Sequence, residues 1–216
     1  MNKTVIILTK SRKYKNYCVA GIDFKTGEWV RLVSMDSTIN HAVKKIDFTY
    51  ENGEEAEILD IVNIECLENK TNYYQPENWV YEEKYYWEKK GQVSIDDVKA
   101  KIKQIDDEYV FYNGEKNITK EFIETIPVAE RYSLKLISPE NAKVYVKTYD
   151  RLKHYAVFDY NGVNYGTLGI TDEVFNEGCS SEGWYKLENI SFVLSLADIY
   201  PADNSHYKVI ASVIEN

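Results

Sequence analysis

Arg31 is one of four arginines in the chain, and it sits among apolar residues in the run CVAGIDFKTGEWVRLVS, two positions after Trp29. A guanidinium carries five donors in a planar fork and stacks on aromatic rings. Beside a tryptophan it can therefore grip a phosphate or lie against a base. It can equally close a salt bridge to Asp23 or Glu28, with its alkyl stem spread over apolar surface. Both readings stand. The cluster KSRKYK supplies Lys10, Arg12, Lys13 and Lys15, with Tyr14 and Tyr17 alongside: cations for phosphates, rings for bases. YDRLKHYAVFDY repeats the theme with Arg151, Lys153, His154 and Tyr155. QPENW adds Gln75, Glu77, Asn78 and Trp79 in a loop context. Loops commonly carry function, so Asn78 or Trp79 is a candidate base contact, and packing is the other role open to Trp79.

Other chemistries are poorly represented. His41, His154 and His206 are dispersed, and Cys18, Cys66 and Cys179 form no CxxC pair, so no metal site and no cofactor are expected. Ser11 and Ser34 lack a nucleophile-elbow context. GVNYGTLG lacks the lysine of a phosphate loop and the helix that should follow a dinucleotide fingerprint. The acid pairs Glu82-Glu83, Asp96-Asp97 and Asp106-Asp107 fall in loop or helix-start settings, and Asp172 is placed to cap a turn.

The 216 residues, 44% of them hydrophobic, suffice for one large domain or two small ones with real cores. The net charge of −9 excludes broad attraction to nucleic acid, so any such binding needs a local basic patch. No apolar run is long enough to span a bilayer, and the first apolar run, VIIL, is too short for a signal sequence. Unpaired cysteines fit a reducing cytoplasm.

Positioning these residues falls mainly to strands. TVIILT, NYCVAGIDF and WVRLVS alternate like sheet, and in the last of these Trp29, Arg31 and Val33 are expected on one face. Asn52-Gly53 and Asn161-Gly162 are hairpin signals. SIDDVKAKIKQI, opened by Ser94 and two aspartates, predicts an amphipathic helix over 95–105. From Tyr132 onward, YSLKLI, KVYVKT, KHYAVFDYNGVNYGTLGI, SFVLSLA and YKVIASVI are strand-like. The expectation is a mainly β chain with a helical insert (α+β): a first barrel over 1–70, a helical or irregular connection over 71–130, and a second barrel over 131–216. About five strands per module suit a small Greek-key barrel of the oligonucleotide-binding (OB) type.

Several blocks, taken in order, resemble a family of bacterial and archaeal dual OB-fold domains: SRKYKNYCVAGIDFKTGEWVRLVS, DIVNIECLENKTNYYQPENW, YYWEKKGQVSIDDV, SLKLISPENA, YGTLGITD, SFVLSLADIY and YKVIASVI. They span nearly the whole chain. Leu32 departs from the family pattern, which has proline after the arginine. The resemblance implies two OB barrels joined by a helical segment and a role in nucleic-acid or nucleotide binding. The combined expectation is a non-catalytic binder of single-stranded nucleic acid or a nucleotide, acting through barrel faces and basic rim loops. A protein-interaction or scaffold module, with a protein partner, is the alternative, ahead of an enzyme on a small nucleotide-like substrate.

Overall fold

The computed structural model describes residues 1–103 and 105–216, and the chain divides into two units, Met1–Lys103 and Gln104–Asn216. It is mainly β. In the first unit, β1 (Asn2–Lys13), β2 (Asn16–Asp23), β3 (Trp29–Val33), β4 (Asp60–Asn69) and β5 (Asn78–Tyr81) pair in the order β1-β2-β3-β5-β4, and β4 returns to β1. The ring is closed, and its one parallel pair is β3–β5. That is the Greek-key connectivity of an OB barrel.

Closure depends on β1. It is long enough to pair with β4 through Asn2–Ile6 and with β2 through Val5–Lys13, and a register shift between Ile7 and Thr9 bends it between the two. Gly21 faces this stretch. A Cβ there would lie 1.8 Å from the Ile6 carbonyl oxygen, so only glycine permits the approach. Val5–Leu8 on β1 and Val19, Ala20 and Ile22 on β2 are fully buried. Successive residues point to opposite sides of a strand, so both faces are covered. The same holds for β3, where Val30 to Val33 are all buried and Trp29 partly so. The expected split into a functional and a core face is absent there.

A strand β6 (Glu88–Gln92) extends the sheet from β4, and helix α1 (Ile95–Lys101) follows. Ser94 and Asp97 form a reciprocal capping box. The helix ends earlier than the expected 95–105: Ile102 is already extended, and the Lys103 amide donates instead to the Gly27 carbonyl. Gln104, within the expected span, lies outside the described residues. The Asn52-Gly53 turn forms, but its arms meet only in a single bridge, Thr49 to Glu55.

The second unit contains β7 (Asn117–Thr119), α2 (Lys120–Thr125), β8 (Leu134–Ile137), β9 (Glu140–Thr148), β10 (Leu152–Tyr160), β11 (Val163–Ile170), α3 (Glu173–Gly178), β12 (Gly183–Lys186), β13 (Ile190–Leu196) and β14 (Ser205–Glu215). The sheet order is β12-β9-β10-β11-β14-β13-β8, with β7 on β14. The β11–β14 pair is parallel, matching β3–β5. Here β8 and β9 together do the work of β1: one pairs with β13 and the other with β10, and the circuit closes along the chain through Ser138-Pro139. Proline has no N–H for a ladder, which accounts for the interruption. Asn161 and Gly162, both at positive φ, make the expected tight hairpin. The Asp172 carboxylate caps α3 by accepting from the Phe175 amide, and it also accepts from the Val213 amide. Within the span 71–130, β5, β6 and α1 belong to the first unit, and β7 and α2 to the second. No helix among the described residues is long and apolar enough to cross a membrane.

Two buried lysines mark the second barrel. Lys208 on β14 donates to the carbonyl and the side-chain oxygen of Asn113, the latter at 2.9 Å, and sits 5.3 Å from the Tyr165 ring centre. Lys135 on β8 donates to the Tyr109 carbonyl at 3.1 Å. Burial pushes the Lys208 ammonium down to about 7, against the opposing pull of Asp107 and Glu115 and with added repulsion from Lys135. Above about pH 7 the folded chain releases this proton, while the unfolded chain holds it until the ordinary lysine range. Raising the pH through that window therefore favours the fold, by up to about 1.4 kcal/mol per pH unit. Denaturant titrations of wild type between pH 7 and 9.5 are expected to show rising stability, and Lys208→Met to flatten the slope. Parallel slopes in the two proteins would refute the assignment.

Candidate functional site

Arg31 lies at the parallel seam of the first barrel, and its side chain is only 4% exposed. One terminal nitrogen donates to the Cys18 sulfur on β2 at 2.7 Å, and the other faces the Glu77 carboxylate at 3.4 Å. The Arg31 amide also donates to the Glu77 carbonyl. Burial opposes the charge, but Cys18 and Glu77 outweigh it and raise the guanidinium pKa further. The acid that meets Arg31 is thus neither Asp23 nor Glu28 but one from the QPENW loop, 46 positions along the chain. Asn78, directly opposite Arg31, is buried and donates to the Gln75 side chain. Asn69 in turn donates to the Asn78 carbonyl at 2.8 Å. Trp79 is half-buried, with the Lys3 ammonium 3.8 Å above its ring. Trp29 pairs across to Ile22. Arg31, Asn69 and Asn78 thus tie the 70–77 loop to the β3–β5 seam, through Glu77, Pro76 and Gln75.

The KSRKYK cations lie along the end of β1. Lys10 donates to the Ala56 carbonyl and sits 5.3 Å from the Phe48 ring centre. Burial lowers its pKa, with Glu55, Glu57 and Asp60 opposing. Arg12 is exposed, 5.6 Å from the Tyr17 ring, and donates to the Tyr14 carbonyl. Lys13, partly buried, stands opposite Asn16 at the hairpin end.

The second barrel presents a different surface. Along β9 and β10, residues alternate between buried and outward positions. His154 points inward, its Nε2 2.8 Å from the Cys179 carbonyl, whereas Lys153 and Tyr155 point outward. Directly opposed residues share a face, and the register lines up three rows. The central row is Trp184–Tyr145–Tyr155 across β12, β9 and β10, ending at Gly169 on β11. Trp184 is 61% exposed, and its ring centre lies 4.9 Å from that of Tyr145. On one side run Lys186, Lys143 and Val157, and on the other Lys147 and Lys153. A Cβ on Gly169 would meet nothing within 4 Å, so the row ends over open backbone. At the hairpin beside it stand Tyr149, 58% exposed with the Lys147 ammonium 5.2 Å from its ring, and the exposed Arg151. Three lysines on this face have acidic neighbours: Lys186 pairs with Glu188, Lys153 with Asp150 at 3.7 Å, and Lys147 lies near Glu182.

The aromatic row spans two inter-strand spacings, about 10 Å, and each lysine row lies about 7 Å from it, two residues along the strand. Rings in such a row can stack on successive bases, and an ammonium row beside them can follow the strand's backbone. Sequence reasoning reached Arg151, Lys153 and Tyr155 here. It missed Lys143, Tyr145, Lys147, Trp184 and Lys186, although the period-two patterns Lys-x-Tyr-x-Lys in KVYVK and Trp-x-Lys in WYK carried the signal.

Two Greek-key barrels in series, one with an exposed face of rings and lysines, define a dual OB-type binding module. The chain belongs to the Dual OB-containing domain family, whose model matches residues 3–213. No curated protein and no solved structure matches it.

Removing one partner of a buried ion pair leaves the other charge uncompensated, at a cost of about 3–5 kcal/mol. Arg31→Met and Glu77→Met are each expected to destabilise by that order in chemical denaturation, and the double variant by less than the sum. Additive losses would show that the two side chains do not act together.

Proposed function

We propose that the protein is a non-catalytic binder of single-stranded nucleic acid or a nucleotide, and that the outward face of β12, β9 and β10 is its contact surface. The observation that carries this reading is the aromatic row Trp184–Tyr145–Tyr155 between two lysine rows. Rings stack on bases of any identity, and ammonium groups meet the phosphates, so the expected binding is tolerant of sequence and sensitive to salt. Arg151, Lys153 and Tyr149 extend the surface at the β9–β10 hairpin, the same loop position that Arg12, Lys13 and Tyr14 occupy in the first barrel. Arg31 and Asn78 are assigned a positioning role, holding the 70–77 loop, and Trp79 a packing role against the first barrel's core; none of the three meets the ligand. The negative charge of the whole chain supports a confined site over broad electrostatic adhesion.

Fluorescence anisotropy with labelled single-stranded DNA and RNA at two salt concentrations tests the proposal. Stacking contributes about 1–3 kcal/mol per base, so Tyr145→Ala and Trp184→Ala are each expected to weaken binding roughly tenfold or more. Lys147→Ala is expected to reduce the salt dependence. Binding that survives the double Tyr145→Ala, Trp184→Ala substitution unchanged would move the site elsewhere, and no binding at either salt would remove the polynucleotide reading.

A further inference from the structure

The first unit carries a cleft of about 690 Å³ whose chemistry is opposite to that of the lysine face. Tyr85 and Tyr86, in the turn between β5 and β6, stand 63% and 60% exposed at its wall and also line an adjoining hollow of about 320 Å³. The rim carries Glu51, Glu54 and Glu88. Its one lysine, Lys89, is held by Asp60 at 2.7 Å, and Glu88 pairs with Lys90. Among the described residues neither Glu51 nor Glu54 makes an ion pair. Trp87 also lines the cleft. It is 2% exposed, packed against Phe48 and Tyr81, and its indole N–H has no hydrogen-bond partner.

We propose that this cleft receives a basic peptide segment of a partner protein. Two exposed tyrosine rings beside carboxylates are the chemistry that holds an ammonium or guanidinium group, through ring faces and charge together. The volume falls within the range of ligand-holding clefts. The tryptophan selects among cations. A buried donor without a partner is costly and is relieved by an acceptor, which a peptide backbone carbonyl provides and a simple polyamine lacks. The N–H itself is covered, so the carbonyl reaches it only as the atoms over it give way. The site is built from first-unit residues alone and does not depend on the nucleic-acid reading.

Calorimetric titration of the full chain with an acetylated, amidated peptide of alternating lysine and glycine tests this, with spermine as the cation lacking a carbonyl. Saturable binding is expected at moderate salt, tighter for the peptide than for spermine. The double substitution Tyr85→Ala, Tyr86→Ala removes only exposed rings and leaves net charge unchanged, yet it is expected to weaken the peptide at least tenfold. Trp87→Phe keeps an aromatic ring against Phe48 and Tyr81 but removes the donor, and is expected to erase the preference for peptide over spermine. Trp184→Ala is expected to change nothing. Absence of saturable binding, or equal affinity in the double tyrosine variant, would overturn the proposal. Equal affinity for spermine and peptide in wild type would overturn the assignment of a peptide as occupant.

Discussion

A strand has two faces, and one that is buried on both has nothing left to offer a ligand. This constraint separates the leading strands of the two barrels, β1 to β3 from β9 and β10, whereas β4 alternates in the first unit and β8 and β13 are buried throughout in the second. In the first, consecutive residues of β1 and β2 are wholly buried, and β3 is closed in the same way. In the second, β9 and β10 keep strict alternation, with one side in the core and the other in solvent. The two units share the core connectivity down to the single parallel pair, so the difference lies in side chains and in the added strand β12, which brings Trp184 and Lys186 to the face. OB barrels serve many ligands, and here as elsewhere it is the surface chemistry that assigns the role.

The buried guanidinium shows the consequence. A residue type suited to phosphate recognition sits in the first barrel, but in a strand without a free face, and its donors turn to Cys18 and Glu77. The pair then fixes a loop to the parallel seam, where the short β5 has few ladder bonds of its own. A buried charge needs a partner more than it needs a ligand. Lys208 reaches the same outcome in the second barrel by a different route, taking the oxygens of Asn113.

Caps and one hairpin were legible from local signals, whereas the Asn52-Gly53 turn closes only a single bridge. The Ser94 capping box, the Asp172 cap and the Asn161-Gly162 hairpin each depend on residues within three or four positions, and each is present. The strand content and the two-barrel plan followed from alternation and spacing. What could not be read were pairings across distance. Glu77 meets Arg31 only because β3 and β5 run side by side, and Trp184 joins Tyr145 only because β12 docks on β9 after an intervening hairpin and helix. Which of two alternating faces stays open is likewise decided by what the fold lays over it. Helix α1 stops short of its apolar pattern because the backbone at Ile102 turns extended and the Lys103 amide takes the Gly27 carbonyl.

The most direct measurement is a map of backbone amide shifts in the full chain as a short oligothymidine is added. Shifts concentrated on β9, β10 and β12, with β1, β2 and β3 unmoved, are what an open aromatic face on one barrel and closed strands on the other predict. Shifts centred on the first barrel's strands, or none on β9 and β10 at saturation, would contradict the account.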